Sequence, residues 1–320
     1  MSDHRSHVHI HRRLARIGSL IVFLWIVGLL VCPSSTRAED DNFPPELVCF
    51  TPAKENPIFA AQGEGHWDVK IRERGFILKE DDGYKMWYTG YDGTREGTKM
   101  LGLATSPDGL TWTPRPDNPI YKDHWVEDMM VVKLDETYYM FAEGAMDQAQ
   151  LLTSTDGVRW HREGTLDVRL KNGEPIPPGP YGTPAAWHEE GTWYLFYERR
   201  DLGVWLATSN DMKVWTNVQD EPVLAPGPEY YDRDMIAMNQ IVKHKGRYYA
   251  YFHGAANDKK PSLWSTNIAV SDDLIHWKKY SGNPLFPIAD NKSSGILVHD
   301  GGQFRLYTMH NQVHVHFQKP

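Results

Sequence analysis

From Gly75 onward the apolar residues arrive as paired short runs separated by polar turns. Each pair opens on a largely apolar run: Gly75-Phe76-Ile77-Leu78, Met129-Met130-Val131-Val132, Ala185-Ala186-Trp187-His188, Met238-Asn239-Gln240-Ile241-Val242 and Ile296-Leu297-Val298-His299. An aromatic-rich run follows in each: Tyr84-Lys85-Met86-Trp87-Tyr88, Tyr138-Tyr139-Met140-Phe141, Trp193-Tyr194-Leu195-Phe196-Tyr197, Tyr248-Tyr249-Ala250-Tyr251-Phe252 and Phe304-Arg305-Leu306-Tyr307. Runs this short, bounded by Asp, Glu and Gly clusters, predict strands, and no stretch has a convincing helical period. The continuous apolar character of the first run predicts burial on both sides, beside a central axis.

A further phrase closes the first four units: Ser106-Pro107-Asp108-Gly109-Leu110-Thr111-Trp112, Ser154-Thr155-Asp156-Gly157-Val158-Arg159-Trp160, Ser209-Asn210-Asp211-Met212-Lys213-Val214-Trp215 and Ser271-Asp272-Asp273-Leu274-Ile275-His276-Trp277. The spacing from Trp112 to Trp160, Trp215 and Trp277 has the period of a propeller or solenoid repeat. Units end in a tag, Asn118-Pro119-Ile120, Glu221-Pro222-Val223, Asn283-Pro284-Leu285 and the weaker Gly164-Thr165-Leu166. The fifth unit stops before its phrase, while the same tag stands ahead of the first unit as Asn56-Pro57-Ile58-Phe59. A ring must hide its open edge. The N-terminal segment is therefore expected to complete the fifth blade. The fold class predicted is an all-β, five-bladed propeller forming one domain over residues 39–320. The Gly- and Pro-rich stretch Lys171–Pro184 reads as a long rigid loop over one face.

Ahead of the domain, Arg5, Arg12, Arg13 and Arg16 precede an apolar run from Ile17 to Cys32 and then Thr36-Arg37-Ala38. This reads as a signal peptide over residues 1–38, with an uncleaved N-terminal anchor as the alternative. The product is expected to be secreted or periplasmic, and to meet a membrane only if the segment stays attached. Its removal takes away five arginines and one aspartate, leaving 29 basic against 41 acidic residues, a net charge of −12. That balance argues against a nucleic-acid partner.

Successive strands of a blade run antiparallel, so first-strand starts and second-strand ends share one face. The first supply Asp68, Glu127, Asp128, Thr183, Arg233, Asp234 and Ser294; the second supply Tyr91, Asp92, Glu143, Glu198, Arg199, His253 and His310. The opposite face carries plain hairpin turns. Carboxylates converging on an axial cleft suit glycosidic bond cleavage, where one carboxyl acts as acid and another as base or nucleophile. Crowding raises their pKa values and keeps one protonated near neutrality. Arg199, Arg233, His253 and His310 would bind sugar hydroxyls or an anionic substituent, and Trp67 and Trp125 would stack on sugar rings.

The blade phrases Tyr84-Lys85-Met86-Trp87-Tyr88-Thr89-Gly90 and Ser106–Trp112, with the acidic starts Trp67-Asp68 and Val126-Glu127-Asp128, resemble the five-bladed glycosidase superfamily. That group includes arabinanase/xylosidase-like, invertase-like and mannoside-phosphorylase-like families, and the resemblance spans residues 43–320. It implies Asp68 as base or nucleophile and Asp128 as the group that tunes pKa and holds substrate. The superfamily's third-blade Glu has no counterpart, because Tyr181-Gly182-Thr183-Pro184 holds no acid. Glu198 is expected to replace it as acid, with Glu143, Asp234 and His253 as rivals. No cofactor is expected to be required, although the resemblance is compatible with a central calcium ion.

Simpler roles compete with these. Asp108, Asp156, Asp211 and Asp273 read as turn formers, and the phrase tryptophans as blade core. Asp68 and Asp128 are also plausible strand caps, Glu198 a partner for Arg199, Arg200 or Arg233, and His253 and His310 buried histidines. His310, His314 and His316 alternate along one strand face but lack the Cys or carboxylate partners of a strong zinc motif. The expectation is a glycoside hydrolase degrading a poly- or oligosaccharide, with a non-catalytic sugar-binding propeller or a glycoside phosphorylase as alternatives.

Overall fold

The computed structural model describes residues 42–72 and 74–319. The predicted signal peptide or anchor lies outside them. Among the described residues no helix is long and apolar enough to cross a membrane.

Five antiparallel sheets follow one another along the chain. Blade I comprises Phe76–Glu80, Gly83–Tyr91, Met100–Ser106 and Thr113–Pro114, and blade II Glu127–Leu134, Thr137–Gly144, Gln148–Ser154 and His161–Thr165. Blade III holds Ala185–Glu189, Thr192–Glu198, Val204–Ser209 and Val214–Asn217; blade IV holds Met235–His244, Arg247–Ala255, Trp264–Ser271 and Lys278–Lys279. Blade V has three strands of its own, Gly295–His299, Phe304–Met309 and Gln312–Gln318. The first strand of each blade packs against the first strands of its two neighbours, which closes the ring around the apolar core. These are the runs whose unbroken hydrophobicity predicted burial on both sides.

The ring is clasped as expected. Phe50–Pro52 pairs with Gln318, Phe317 and His316, and Phe59–Ala60 pairs with Val313 and Gln312, so the N-terminal segment supplies the outer edge of blade V. The loop at 171–184 departs from expectation at its approach. Asp167–Arg169 adds a parallel fifth strand outside Val214–Asn217, and the chain then crosses back to the axis. The weak tag Gly164-Thr165-Leu166 thus leads into blade III.

The recurrent motifs have a common cause. In each phrase the Ser Oγ accepts the backbone N–H three residues on (Gly109, Gly157, Met212, Leu274). The Asp Oδ1 accepts the N–H groups of the residues that follow it, which holds these carboxyls below the usual range. They are turn formers. In the Asn-Pro tags the Asn amide imitates a strand: Asn118 receives Leu103 N and donates to Leu103 O (both 3.0 Å), Asn283 does the same with Ile268, and Asn56 with Val315. Truncating such a side chain leaves the strand N–H without its acceptor, while the carbonyl keeps one backbone partner, as Leu103 O keeps Arg115 N (2.9 Å). Asn118→Ala should therefore lower unfolding free energy by about 1–3 kcal/mol in urea denaturation.

Four inner strands are approached through a residue in the left-handed region, Arg74 (φ 28), Asp128 (φ 45), Thr183 (φ 43) and Ser294 (φ 58). In blade IV a bulge at Asn239 takes that place. Second strands carry a matching set of buried polar residues near their ends: Thr89, Glu143, Glu198, His253 and Thr308. Two rings of polar positions thus surround the axis at one face.

Arg74 ties the first ring together. It is fully buried, and its guanidinium donates to Met238 O and Pro184 O (both 2.8 Å) and to Asp128 O. Its own N–H reaches Met309 O, and its carbonyl accepts from Met129 N. One residue leading into blade I thereby bonds to the other four blades. Burial lowers its pKa to about 10, while Asp128 and Glu143 oppose that shift, so it stays charged.

Candidate active site

The two rings bring carboxyls together where blades II and III meet. Glu127 and Glu143 are cross-strand partners, and the register slips between Glu127 and Met130, leaving Asp128 in a bulge. Bulges re-aim side chains. Asp128 is half-buried, and its Oδ1 is sheltered with no hydrogen-bond partner. Glu143 Oε2 accepts from Thr183 N (2.8 Å) and Thr183 Oγ1 (3.2 Å) across the blade boundary. Gly182 permits this approach, because a Cβ there would collide with the Glu143 carboxyl. Glu198 accepts from Gly182 N (3.1 Å) and Asp201 N (2.5 Å) rather than pairing with any of the three arginines proposed for it. Glu127 is held by Trp125 Nε1 (2.6 Å) and Arg72.

Burial and mutual repulsion raise every carboxyl of this group. Burial, with Asp128 adding to it, pushes Glu127 up to about 7. Glu198 rises to about 7, from burial first and then Asp201. Glu143 is raised well above the usual range by burial and by Asp128, Glu127 and Glu198. Asp128 is raised by burial, against the pull of Arg74 and Arg72. Asp201 reaches about 6 through burial, Asp128 and Asp147. Such carboxyls bind protons more tightly in the folded state, so stability falls as pH rises from about 4.5 towards 7, by about 1.4 kcal/mol per pH unit for each fully titrating group. The melting temperature should be highest near pH 5 and decline to pH 8. Glu143→Gln should flatten that slope, which calorimetry across the pH range would show.

On the blade I and blade V side the charge is of the other sign. His310 Nδ1 meets Ser293 Oγ (3.2 Å), and Lys292 Nζ meets His314 Nε2 (2.8 Å). Burial, with Lys292 and Arg72, lowers His310 to about 4. His253, paired through Nδ1 with Asn239, falls to about 3 by burial, Arg74 and His310. These shifts favour neutral imidazoles at pH 7, suited to hydrogen bonding. The alternating histidines do not converge: His316 stacks on Phe286 (4.1 Å) and meets Thr308, while His314 holds Lys292. Among the described residues no group of three or more His, Cys, Asp or Glu side chains is placed to hold a metal ion.

Several predicted residues lie elsewhere. Asp68 is fully buried against Gly90; both its carboxylate oxygens are sheltered with no hydrogen-bond partner, burial raises its pKa, and none of the blade II and III carboxyls bears on it. Asp232 stands against Gly254 in blade IV in the same way, and the backbone contacts Gly63 N–Asp68 O and Gly227 N–Asp232 O match. The two differ in their carboxylates: Lys279 pairs with Asp232, whereas the oxygens of Asp68 have no such partner. Trp67 packs on Tyr88 (5.6 Å) and over Gly102, as part of the blade. Arg233 and Asp234 form an exposed ion pair (2.9 Å) with Tyr230 under the guanidinium, and the pairing lowers the Asp234 pKa, contrary to an acid's requirement. Arg199 donates to Pro177 O (2.7 Å) in the 171–184 loop. Arg72, Arg74, Asp147 and Asp201 were not anticipated. Arg74 precedes Asp128 by 54 residues, one short of the 55 that separate Asp128 from Thr183, so the blade repeat points to its neighbourhood but not to the residue.

No protein-family model matches the chain. It is 27% identical over 237 residues to a 1,2-β-oligomannan phosphorylase of Thermoanaerobacter sp. (strain X514), covering 68% of this chain and 76% of that protein. Among solved structures it resembles a putative glycosidase from Bacteroides thetaiotaomicron (TM-score 0.69, 17% identity, 88% of this chain and 99% of that one). It also resembles a β-1,2-mannobiose phosphorylase from Listeria innocua (TM-score 0.67, 14% identity, 84% and 97%). The architecture is that of five-bladed propeller proteins of the glycoside hydrolase and phosphorylase type.

Proposed function

We propose that the chain is a glycoside-cleaving enzyme whose reaction occurs at Asp128, between blades II and III, with water as the acceptor. The observation that carries this reading is the half-buried Asp128 set beside two guanidiniums and amid carboxyls of raised pKa. Burial raises the Asp128 pKa and Arg72 and Arg74 oppose that rise, so among these carboxyls it is the one assigned as base or nucleophile. Glu198, at about 7, retains a proton near neutrality and serves as acid, with Asp201, at about 6, nearest to it in character. Glu143 stays protonated and positions Thr183. The carboxyl-rich surroundings repel a phosphate dianion from the Asp128 side, which favours hydrolysis.

Phosphorolysis is the second reading, favoured by Arg72 and Lys292 flanking His310 on the blade I and V side and by the oligomannan phosphorylase relative. The substrate class suggested by the phosphorylase relatives is a β-1,2-linked mannoside. Incubation with β-1,2-manno-oligosaccharides and a wider glycan panel, with and without inorganic phosphate, separates the readings. Free sugar formed without phosphate supports hydrolysis. A sugar 1-phosphate formed only with phosphate supports phosphorolysis, and binding without turnover leaves a sugar-binding propeller.

A further inference from the structure

Beside the carboxyl group, blade II carries a pocket of about 150 Å³, large enough for one pyranose ring. Its walls include His124, Trp125, Met146, Gln148, Gln150 and Arg162, and no Asp or Glu lines it. It lies near the reaction centre: the lining Trp125 donates to Glu127, and the lining Gly144 is next to Glu143 in the strand. Lys99 Nζ sits 4.3 Å from the centre of the Trp125 ring and steadies it.

Arg162 sets the character of the pocket. Arg115, Arg169, Arg247 and Arg305 each hold an aspartate, whereas Arg162 forms no ion pair among the described residues. Its Nε donates to Gln150 Oε1 (2.6 Å) and its Nη2 to Thr165 Oγ1 (3.1 Å). Gln150 is 2% exposed and is fixed in turn by donating to Trp125 O (2.6 Å). A buried neutral amide thus orients a guanidinium without cancelling its charge, in a protein whose overall charge is negative. Guanidinium forks bind carboxylates through paired, charge-assisted hydrogen bonds.

We propose that this pocket is a subsite for a hexuronic acid residue, adjoining the sugar at Asp128, with Arg162 binding its carboxylate and Trp125 its ring. The inference rests on the reading that a glycosidic bond is cleaved at Asp128. The substrate would then be an acidic glycan rather than a uniformly neutral one.

The test is calorimetric titration of the wild-type chain with a linkage panel of thio-linked aldobiouronic acids, each paired with its carboxyl-reduced counterpart. At least one acid should bind tenfold or more tightly than its reduced partner. Arg162→Gln should erase that difference and Arg162→Lys should keep part of it. Gln150→Glu, which gives Arg162 a carboxylate of its own, should also erase it. Equal affinity for acid and reduced forms throughout, or a preference that survives both Arg162→Gln and Gln150→Glu, overturns the proposal. Because the ligands resist cleavage, the result is independent of the catalytic reading, whose own failure would appear as undiminished turnover in Asp128→Asn.

Discussion

Asp128→Asn should reduce kcat by about 10³-fold while leaving the melting temperature within a few degrees of wild type. The amide preserves the volume at the bulge but carries neither the charge that Arg72 and Arg74 stabilise nor a lone pair basic enough to take a proton. Asp68→Asn, measured beside it, should change kcat by less than tenfold, because Asp68 is fully buried against Gly90 and none of the carboxyls of blades II and III bears on it. A collapse of turnover in Asp68→Asn with retention in Asp128→Asn would reverse these assignments.

Arg74→Met should lower unfolding free energy by about 3–5 kcal/mol, read as a shift of the urea midpoint at constant slope. Replacing buried ion pairs with apolar residues is often neutral, since both charges leave together. Here the partners are carbonyls of Asp128, Pro184 and Met238, which remain in the interior and lose their donor. Lysine would not rescue the loss, because one ammonium lacks the fork that reaches three blades at once. The same substitution should raise the Asp128 pKa further and depress activity above the effect of stability alone.

The blade count, the clasp and the role of the Ser–Asp turns were legible because each rests on local patterning repeated along the chain. The carboxyl group was legible in part. Glu127, Asp128, Glu143 and Glu198 were found by asking which strand ends share a face, and the structure brings them together. Asp68 was drawn in by the same rule: Lys70–Ile71 do pair with Tyr91 and Gly90 at the end of the second strand, but Asp68 packs against Gly90 and not among the carboxyls of blades II and III. Asp234 stands apart for a different reason: it pairs with its neighbour Arg233, and sequence adjacency does not reveal which way two charged side chains turn. Arg74 escaped notice because a lone arginine before an apolar run gives no sign that it will be swallowed by the axis. The blade repeat comes within one residue of it, too loosely to single it out from its charged neighbours.

The clasp at blade V also imposes a schedule on synthesis. Asn56 bonds to Val315 across 259 residues of chain, so the contact that shuts the ring cannot form until Val315 has been made. At about 5–20 residues per second, blade I waits on the order of tens of seconds with its neighbour on one side still missing. A nascent chain in that interval presents unpaired strand edges, which invite aggregation. Pairing of the N-terminal strands with Gln312–Gln318 covers the edge of blade V and ends that exposure.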